Sequence, residues 1–373
     1  MDSKTLSDKL GVPETTGARP SGNPIRRSLE RFRKQVAGRA TARITSTALG
    51  GLSSVARLHP RADPTRHHVQ VIRDVPYVEG PAGLPEHTLD IYRPTVKRGP
   101  WPIVLYVHGG GFRLLSKDTH WVMGLLFARF GYLVFNISYR LAPKHPYPAA
   151  LEDTCAAYQW VVENAAKYGG DPSRLVVAGE SAGGNLVSAL TVATCFPRPE
   201  PFARKVFDLG VVPTATLPFC AILQVSDTER FNLRRKLPFW VDTVLRDVGF
   251  SYLGTADPLG PGGLGLADPL LVVESGEQAA RPLPPHFLPV GTRDPLLDDS
   301  RRMAAALDAR GVPCEARYYP GELHAFQAMV FRKPAQRCWR DTFAFLDRYV
   351  PSDAAQPAVA ESVDDEAADA ATG

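Results

Sequence analysis

The sequence is poor in metal-binding groups and has no long apolar run. Five cysteines stand among 373 residues: Cys155, Cys195, Cys220, Cys314 and Cys338. They are odd in number and widely spaced. No Cys-x-x-Cys or Cys/His cluster occurs, so a zinc site is not indicated. Free thiols in a reduced compartment are expected. No run approaches the roughly 18 apolar residues of a membrane span. The first ten residues are polar and lack an apolar signal core, so a cytoplasmic protein is expected. Charge is nearly balanced, with 43 Lys and Arg against 39 Asp and Glu, a formal net charge of +4. So small an excess gives no argument for nucleic acid as a partner. No internal repeat is visible.

What is present is material for a sizeable core: 44% of the residues are hydrophobic and 22% charged, as in soluble globular chains. Residues 1–23 are rich in Ser, Thr, Gly and Pro and are expected to be disordered. In the segment from 24 to 66 the pattern changes. Ile25, Leu29, Phe32, Val36 and Ile44, among many Arg and Lys, predict one or two amphipathic helices. They are expected to pack on the main domain as part of a cap. Peripheral contact with an anionic membrane surface is the competing use of such a basic face.

Strand patterns begin at 69–72 and 87–92, which alternate and predict an antiparallel opening pair. Short apolar runs follow at 103–107, 133–137, 175–177, 221–225, 286–290 and 315–319. Such runs suit parallel strands covered on both faces. Helical periods at 150–167, 184–193, 299–309 and 335–349 lie between or after them. Strands alternating with helices predict an α/β architecture with a mostly parallel, eight-stranded sheet. Ligands of such sheets bind beyond the carboxyl ends of the strands. Two stretches break the alternation. Residues 196–219 look Pro-rich and irregular. An insertion at about 226–265 carries Phe231, Leu237, Phe239, Trp240, Val244 and Leu245 and predicts a helical cap piece, with Phe239 and Trp240 as candidates to line a pocket. The core is expected to span 67–350, and the Ala- and acid-rich tail at 351–373 to be disordered.

The chemistry centres on Gly179-Glu180-Ser181-Ala182-Gly183, placed between an apolar strand and a helix. This is the Gly-x-Ser-x-Gly pattern of a nucleophile elbow. A strand reversing sharply into a helix crowds its own backbone, and a Cβ at Gly179 or Gly183 would clash. A serine hydroxyl needs a base to take its proton. His324 follows the last predicted strand, at the end where a base should stand; His286 lies inside a strand pattern and reads as a core histidine. Asp294 follows the strand ending at Val290. It is the candidate to orient the imidazole, although an Asp-Pro pair is also a common turn former. Asp298 and Asp299 compete, but read better as the start and N-cap of the next helix. Oxyanion donors are expected from the N–H groups of Gly109, Gly110 and Ala182. The first two belong to His108-Gly109-Gly110-Gly111-Phe112, directly after a buried strand.

Together these motifs resemble the hormone-sensitive-lipase-like (bacterial type IV) branch of the α/β-hydrolases. Tyr139-Arg140-Leu141-Ala142-Pro143 and the stretch from His145 to Asp153 match that family's segment between the glycine loop and the elbow. Asp294-Pro295-Leu296 and His324-Ala325-Phe326 match its acid and base motifs. The resemblance covers roughly residues 67–350. It implies a carboxylesterase for short- to medium-chain esters, a small-molecule ester as substrate and no cofactor. It also implies a cap built from an N-terminal segment and an insertion after the sixth strand. Lactone opening, deacetylation and transacylation use the same triad. A non-catalytic small-ligand receptor on this scaffold is the alternative of another class, but such receptors lack the histidine. A homodimer through the edge strand at 315–319 is a further expectation from the fold. Three departures stand out: Glu180 where Asp is usual, Ala325 where Gly is usual, and a long stretch at 196–219.

Overall fold

The computed structural model describes residues 57, 59–78, 85–96, 99–234, 236–254 and 265–350. The segment expected to be disordered at 1–23, most of the amphipathic segment at 24–66, the end of the insertion and the tail at 351–373 lie outside the described residues.

Eight strands among these residues form one sheet: β1 (Val69–Pro76), β2 (Thr88–Pro94), β3 (Trp101–Val107), β4 (Leu133–Ile137), β5 (Gly170–Glu180), β6 (Ala215–Phe219), β7 (His286–Gly291) and β8 (Cys314–Tyr319). Their order is β1-β2-β4-β3-β5-β6-β7-β8. The β1–β2 and β2–β4 pairs are antiparallel, and all the others are parallel. The helices are α1 (Trp121–Arg129), α2 (Ala149–Asn164), α3 (Ala182–Cys195), α4 (Pro201–Asp208), α5 (Phe231–Arg234), α6 (Phe239–Leu253), α7 (Pro269–Glu274), α8 (Leu297–Ala309) and α9 (Lys333–Tyr349).

Side chains alternate across each strand and so build two cores. In β3, Ile103, Leu105 and Val107 join one buried cluster, and Val104 and Tyr106 join the other. β5 divides in the same way, with Leu175 and Val177 against Val176 and Ala178. Helices α2, α3 and α4 cover the first face; α1 and α9 cover the second. With both faces covered, the central strands read as unbroken apolar runs. Every residue of α3 is buried. Its hydroxyls are satisfied within the helix: Ser188 donates to the Gly184 carbonyl and Thr191 to that of Val187, both at 2.8 Å.

Two expectations need correction. The sixth strand is Ala215–Phe219, not the run at 221–225, and the stretch at 196–219 holds both α4 and this strand. Pro218 obscured it, because proline usually argues against a central strand. Here it sits opposite Gly179 in the β5–β6 ladder. The run at 221–225 is buried as its composition implies, but its N–H groups make no ladder: that of Ile222 donates to the Ser181 carbonyl at 3.3 Å, and the next three go to carboxylates. Asp299 accepts from Leu223 at 2.7 Å and Gln224 at 3.3 Å, and Asp268 accepts from Val225 and Ser226. Asp299 is therefore not the N-cap of α8, which begins two residues earlier. It is fully buried and paired with Arg230 at 2.6 Å.

The insertion supplies α5 and α6. Helix α6 lies over the loop that follows β3. Tyr252 stacks on Phe112, with ring centroids 3.6 Å apart, and Val248 fills the space in front of Gly111. Leu245, Val248 and Tyr252 share one side of the helix. Phe239 and Trp240 lie on the opposite side, 84% and 69% exposed, so they face outward and do not line a pocket beneath the helix. Among the described residues no helix is long and apolar enough to cross a membrane.

Candidate active site

The expected elbow lies between β5 and α3. Ser181 has φ 54° and ψ −114°, a conformation that non-glycine residues rarely adopt. Its backbone is held at both ends: the N–H donates to the Phe219 carbonyl at 2.9 Å, and its carbonyl accepts from Asn185 at 3.1 Å. The glycines are required by contact. A Cβ on Gly183 would stand 2.1 Å from the Val107 carbonyl oxygen, and one on Gly179 would stand 2.5 Å from the Gly183 oxygen. The elbow is thus wedged against the end of β3, where the second glycine motif begins.

Asp294 and His324 come together from two other strand ends. The loops after β7 and β8 are joined by backbone bonds: Thr292 N–H donates to Tyr319 at 2.9 Å and Arg293 N–H to Glu322 at 3.0 Å. That brings His324 Nδ1 to 2.9 Å from Asp294 Oδ2. The carboxylate is fully buried, while the imidazole side chain is 36% exposed. Burial alone would push the imidazole pKa down, but the Asp294 carboxylate outweighs it and holds it well above the ordinary histidine range. Asp294 Oδ1 accepts from Leu296 N–H at 2.8 Å, so the turn-forming role of an Asp-Pro pair is real as well. Asp298 is near Arg301 at 3.4 Å and, like Asp299, plays no part in this contact. His286 is buried within β7, bonded at Nδ1 to the Pro284 carbonyl at 2.7 Å, and burial pushes its pKa down to about 4. It is the core histidine that its strand pattern indicated.

Gly109 and Gly110 follow β3 in a loop braced from two sides. Tyr139 donates to the His108 carbonyl at 2.9 Å, and its ring stacks on His108 at 4.2 Å. Arg140 is held by Asp153, which accepts from its backbone N–H at 2.8 Å and from its guanidinium at 2.7–2.9 Å. The second brace is Ala142, whose N–H donates to the Phe112 carbonyl at 2.8 Å, while the Arg140–Asp153 pair ties this segment to α2. Ala182 starts α3 and is fully buried.

Three residues at this site carried no signal in the sequence. Cys220, just beyond β6, places its thiol within 4.8 Å of donor atoms of Asp294 and His324. Burial pushes that thiol pKa up, and the acid and imidazole donors face each other, so this is an acid–base pair with a neutral thiol beside it. His120 and Gln327 both reach Glu180, the residue before the elbow serine. Nothing in their spacing marks them, because they meet only in three dimensions.

A parallel sheet with a strained serine elbow, a His–Asp pair and a glycine loop at the carboxyl ends of its strands defines the α/β-hydrolase class. The comparisons agree. A family model described as "alpha/beta hydrolase fold" matches residues 104–328. Carboxylesterase NlhH of Mycobacterium tuberculosis is 33% identical over 331 residues, 87% of this chain and 94% of that protein. Esterase LipI of the same organism is 33% identical over 67% of this chain and 73% of its own length. The solved structure of esterase LipW from Mycobacterium marinum superposes with a TM-score of 0.67 at 27% identity, covering 84% of this chain and 91% of that one. The chain belongs to the α/β-hydrolase fold family, in its hormone-sensitive-lipase-like branch.

Proposed function

We propose that this protein is a serine carboxylesterase that hydrolyses short- to medium-chain carboxylic esters through an acyl-enzyme. The observation that carries this reading is the His324–Asp294 pair, set at the same end of the sheet as the strained Ser181. In the proposed mechanism His324 takes the proton of Ser181 Oγ, and the oxygen attacks the ester carbonyl. Asp294 keeps the imidazole in the tautomer with its proton on Nδ1 and stabilises its charged form. The N–H groups of Gly109, Gly110 and Ala182 receive the developing oxyanion, each such donor typically being worth about 3 kcal/mol in the transition state. His324 then protonates the leaving alcohol. Water, activated by the same base, releases the acid. The relatives named as esterases support the reaction class, and the motif matches support the residue roles. We assign the core to 67–350 and the cap to the segment at 24–66 with the insertion at about 226–265.

Hydrolysis of p-nitrophenyl esters of graded chain length tests the reading, with Ser181→Ala as control. The expected result is turnover that peaks at a short or medium acyl chain and falls at least 10⁴-fold in Ser181→Ala. No turnover on any ester, together with tight binding of a small ligand, would overturn it in favour of a receptor.

A further inference from the structure

Beside the elbow lies a buried polar chain that the proposed reaction does not use. Glu180, the last residue of β5, is 6% exposed. A carboxylate there is costly unless its oxygens are bonded. Oε1 lies 2.9 Å from His120 Nε2, and Oε2 accepts from Gln327 Nε2 at 2.9 Å. The two arms go to different elements. His120 closes the loop that starts with Gly109 and Gly110, and its Nδ1 is itself set by the Ser116 carbonyl at 3.2 Å and the Thr119 hydroxyl at 3.0 Å. The start of that loop also rests on Glu180: a Cβ on Gly109 would stand 3.0 Å from Glu180 Cγ. Gln327 lies three residues after His324. Its carbonyl accepts from Trp339 Nε1 of α9 at 3.0 Å, which anchors the loop of the base.

We propose that Glu180 is a positioning residue, whose two carboxylate oxygens hold the glycine loop and the His324 loop in register on either side of Ser181. The inference rests on the proposed roles of Ser181, His324 and the glycine N–H groups. The two glycine donors and the base sit on separate loops, and neither loop is a regular element. A relative shift of 1 Å between catalytic groups can cost on the order of a hundredfold in rate. Glu180 reaches both loops from β5, one residue before the nucleophile, so one side chain sets the position of all three. The span of the side chain matters more than its charge in this role. Asp, usual in the family, keeps the charge, but in this chain His120 and Gln327 stand at the reach of a Glu and an Asp is one methylene too short to meet both. Gln keeps the reach: its oxygen accepts from Gln327, and its NH2 donates to His120 Nε2 once that ring carries its proton on Nδ1, toward the Ser116 carbonyl.

The test compares Glu180→Asp and Glu180→Gln with the wild type, using p-nitrophenyl butyrate turnover and inhibition by an aliphatic trifluoromethyl ketone, which forms a tetrahedral adduct. Glu180→Asp is expected to lower kcat about tenfold or more with KM within about twofold, and to weaken the ketone by a similar factor. Glu180→Gln is expected to stay within about threefold of wild type. The opposite ranking, or a loss confined to melting temperature with kcat intact, would overturn the proposal. Gln327→Leu cuts the arm to the base loop alone and serves if Glu180→Asp does not fold; unchanged kcat there is also fatal. A readout independent of turnover is the low-field NMR signal of the His324 Nδ1 proton, expected to move in Glu180→Asp and to hold in Glu180→Gln. If wild type hydrolyses no ester, the esterase reading fails. The NMR comparison then decides the positioning role by itself, and an unmoved signal in Glu180→Asp rejects it.

Discussion

The two carboxylate oxygens of Asp294 have separate duties: Oδ1 closes a turn on Leu296, and Oδ2 holds His324 Nδ1. Asp294→Asn keeps an oxygen for the turn but loses the charge that stabilises the imidazolium. Its kcat is expected to fall by about 10⁴-fold, while Asp298→Asn stays within a few-fold of wild type; steady-state kinetics on one ester separates the two. The sign of the pH dependence follows from His324. As the proposed base it must be neutral to accept a proton, and its pKa is held above the ordinary histidine range, burial opposing and Asp294 prevailing. The kcat/KM profile is therefore expected to rise with pH through an apparent pKa above about 6.5. At Ala325 the backbone has φ 56° and ψ 28°, the left-handed region. That explains why Gly is usual there. Ala325→Gly is expected to raise stability by about 0.5–1 kcal/mol in urea melts, because it relieves the strain of a Cβ in that conformation.

At the scale of elements, the central strands were legible because burial on both faces leaves an unbroken apolar run. The same rule misled at 221–225. Burial was read correctly there, but the hydrogen-bond partners are side chains from 268 and 299. These contacts span more than forty residues and no local pattern announces them. Asp299→Ala would take the carboxylate from the largely covered Arg230, leaving it the Asp227 carbonyl, and would leave two N–H groups unsatisfied. It is expected to cost about 3–5 kcal/mol by equilibrium unfolding. Helix α6 makes the complementary point. Its aromatic density indicated a packed insertion, and packing does occur through Leu245, Val248 and Tyr252. Which side of the helix faces inward was not readable, since Phe239 and Trp240 are as apolar as the residues that pack.

Across the whole molecule, two histidines are kept neutral by burial. His108 is pushed down to about 3, by burial first and the neighbouring His120 second, and His286 to about 4. Unfolded, both would titrate near 6.5. Their depressed pKa values mean that the unfolded chain binds more protons in this window, so their contribution is complete above about pH 6.5 and is lost as pH falls toward 4 and below. His324, raised by Asp294, works in the opposite sense. Two depressed rings outweigh one raised ring, so stability is expected to fall, by on the order of a few kcal/mol at most, between pH 7.5 and 5, read from urea midpoints at the two values. An unchanged midpoint would mean that the buried rings are charged in the folded state.

The class of fold was legible in the sequence, and Ser181, Asp294 and His324 stood out there as the candidate serine, acid and base. Those signals are local: a glycine forced by a tight reversal, a proline after an acid, an apolar run between turns. The folded chain was needed to see that β6 lies at 215–219, that α6 turns its first aromatics outward, and that Glu180, His120 and Gln327 form one buried chain. The physical reason is distance along the chain. Glu180 is 60 residues from His120 and 147 from Gln327, and a contact that folding alone creates leaves no periodicity at either end.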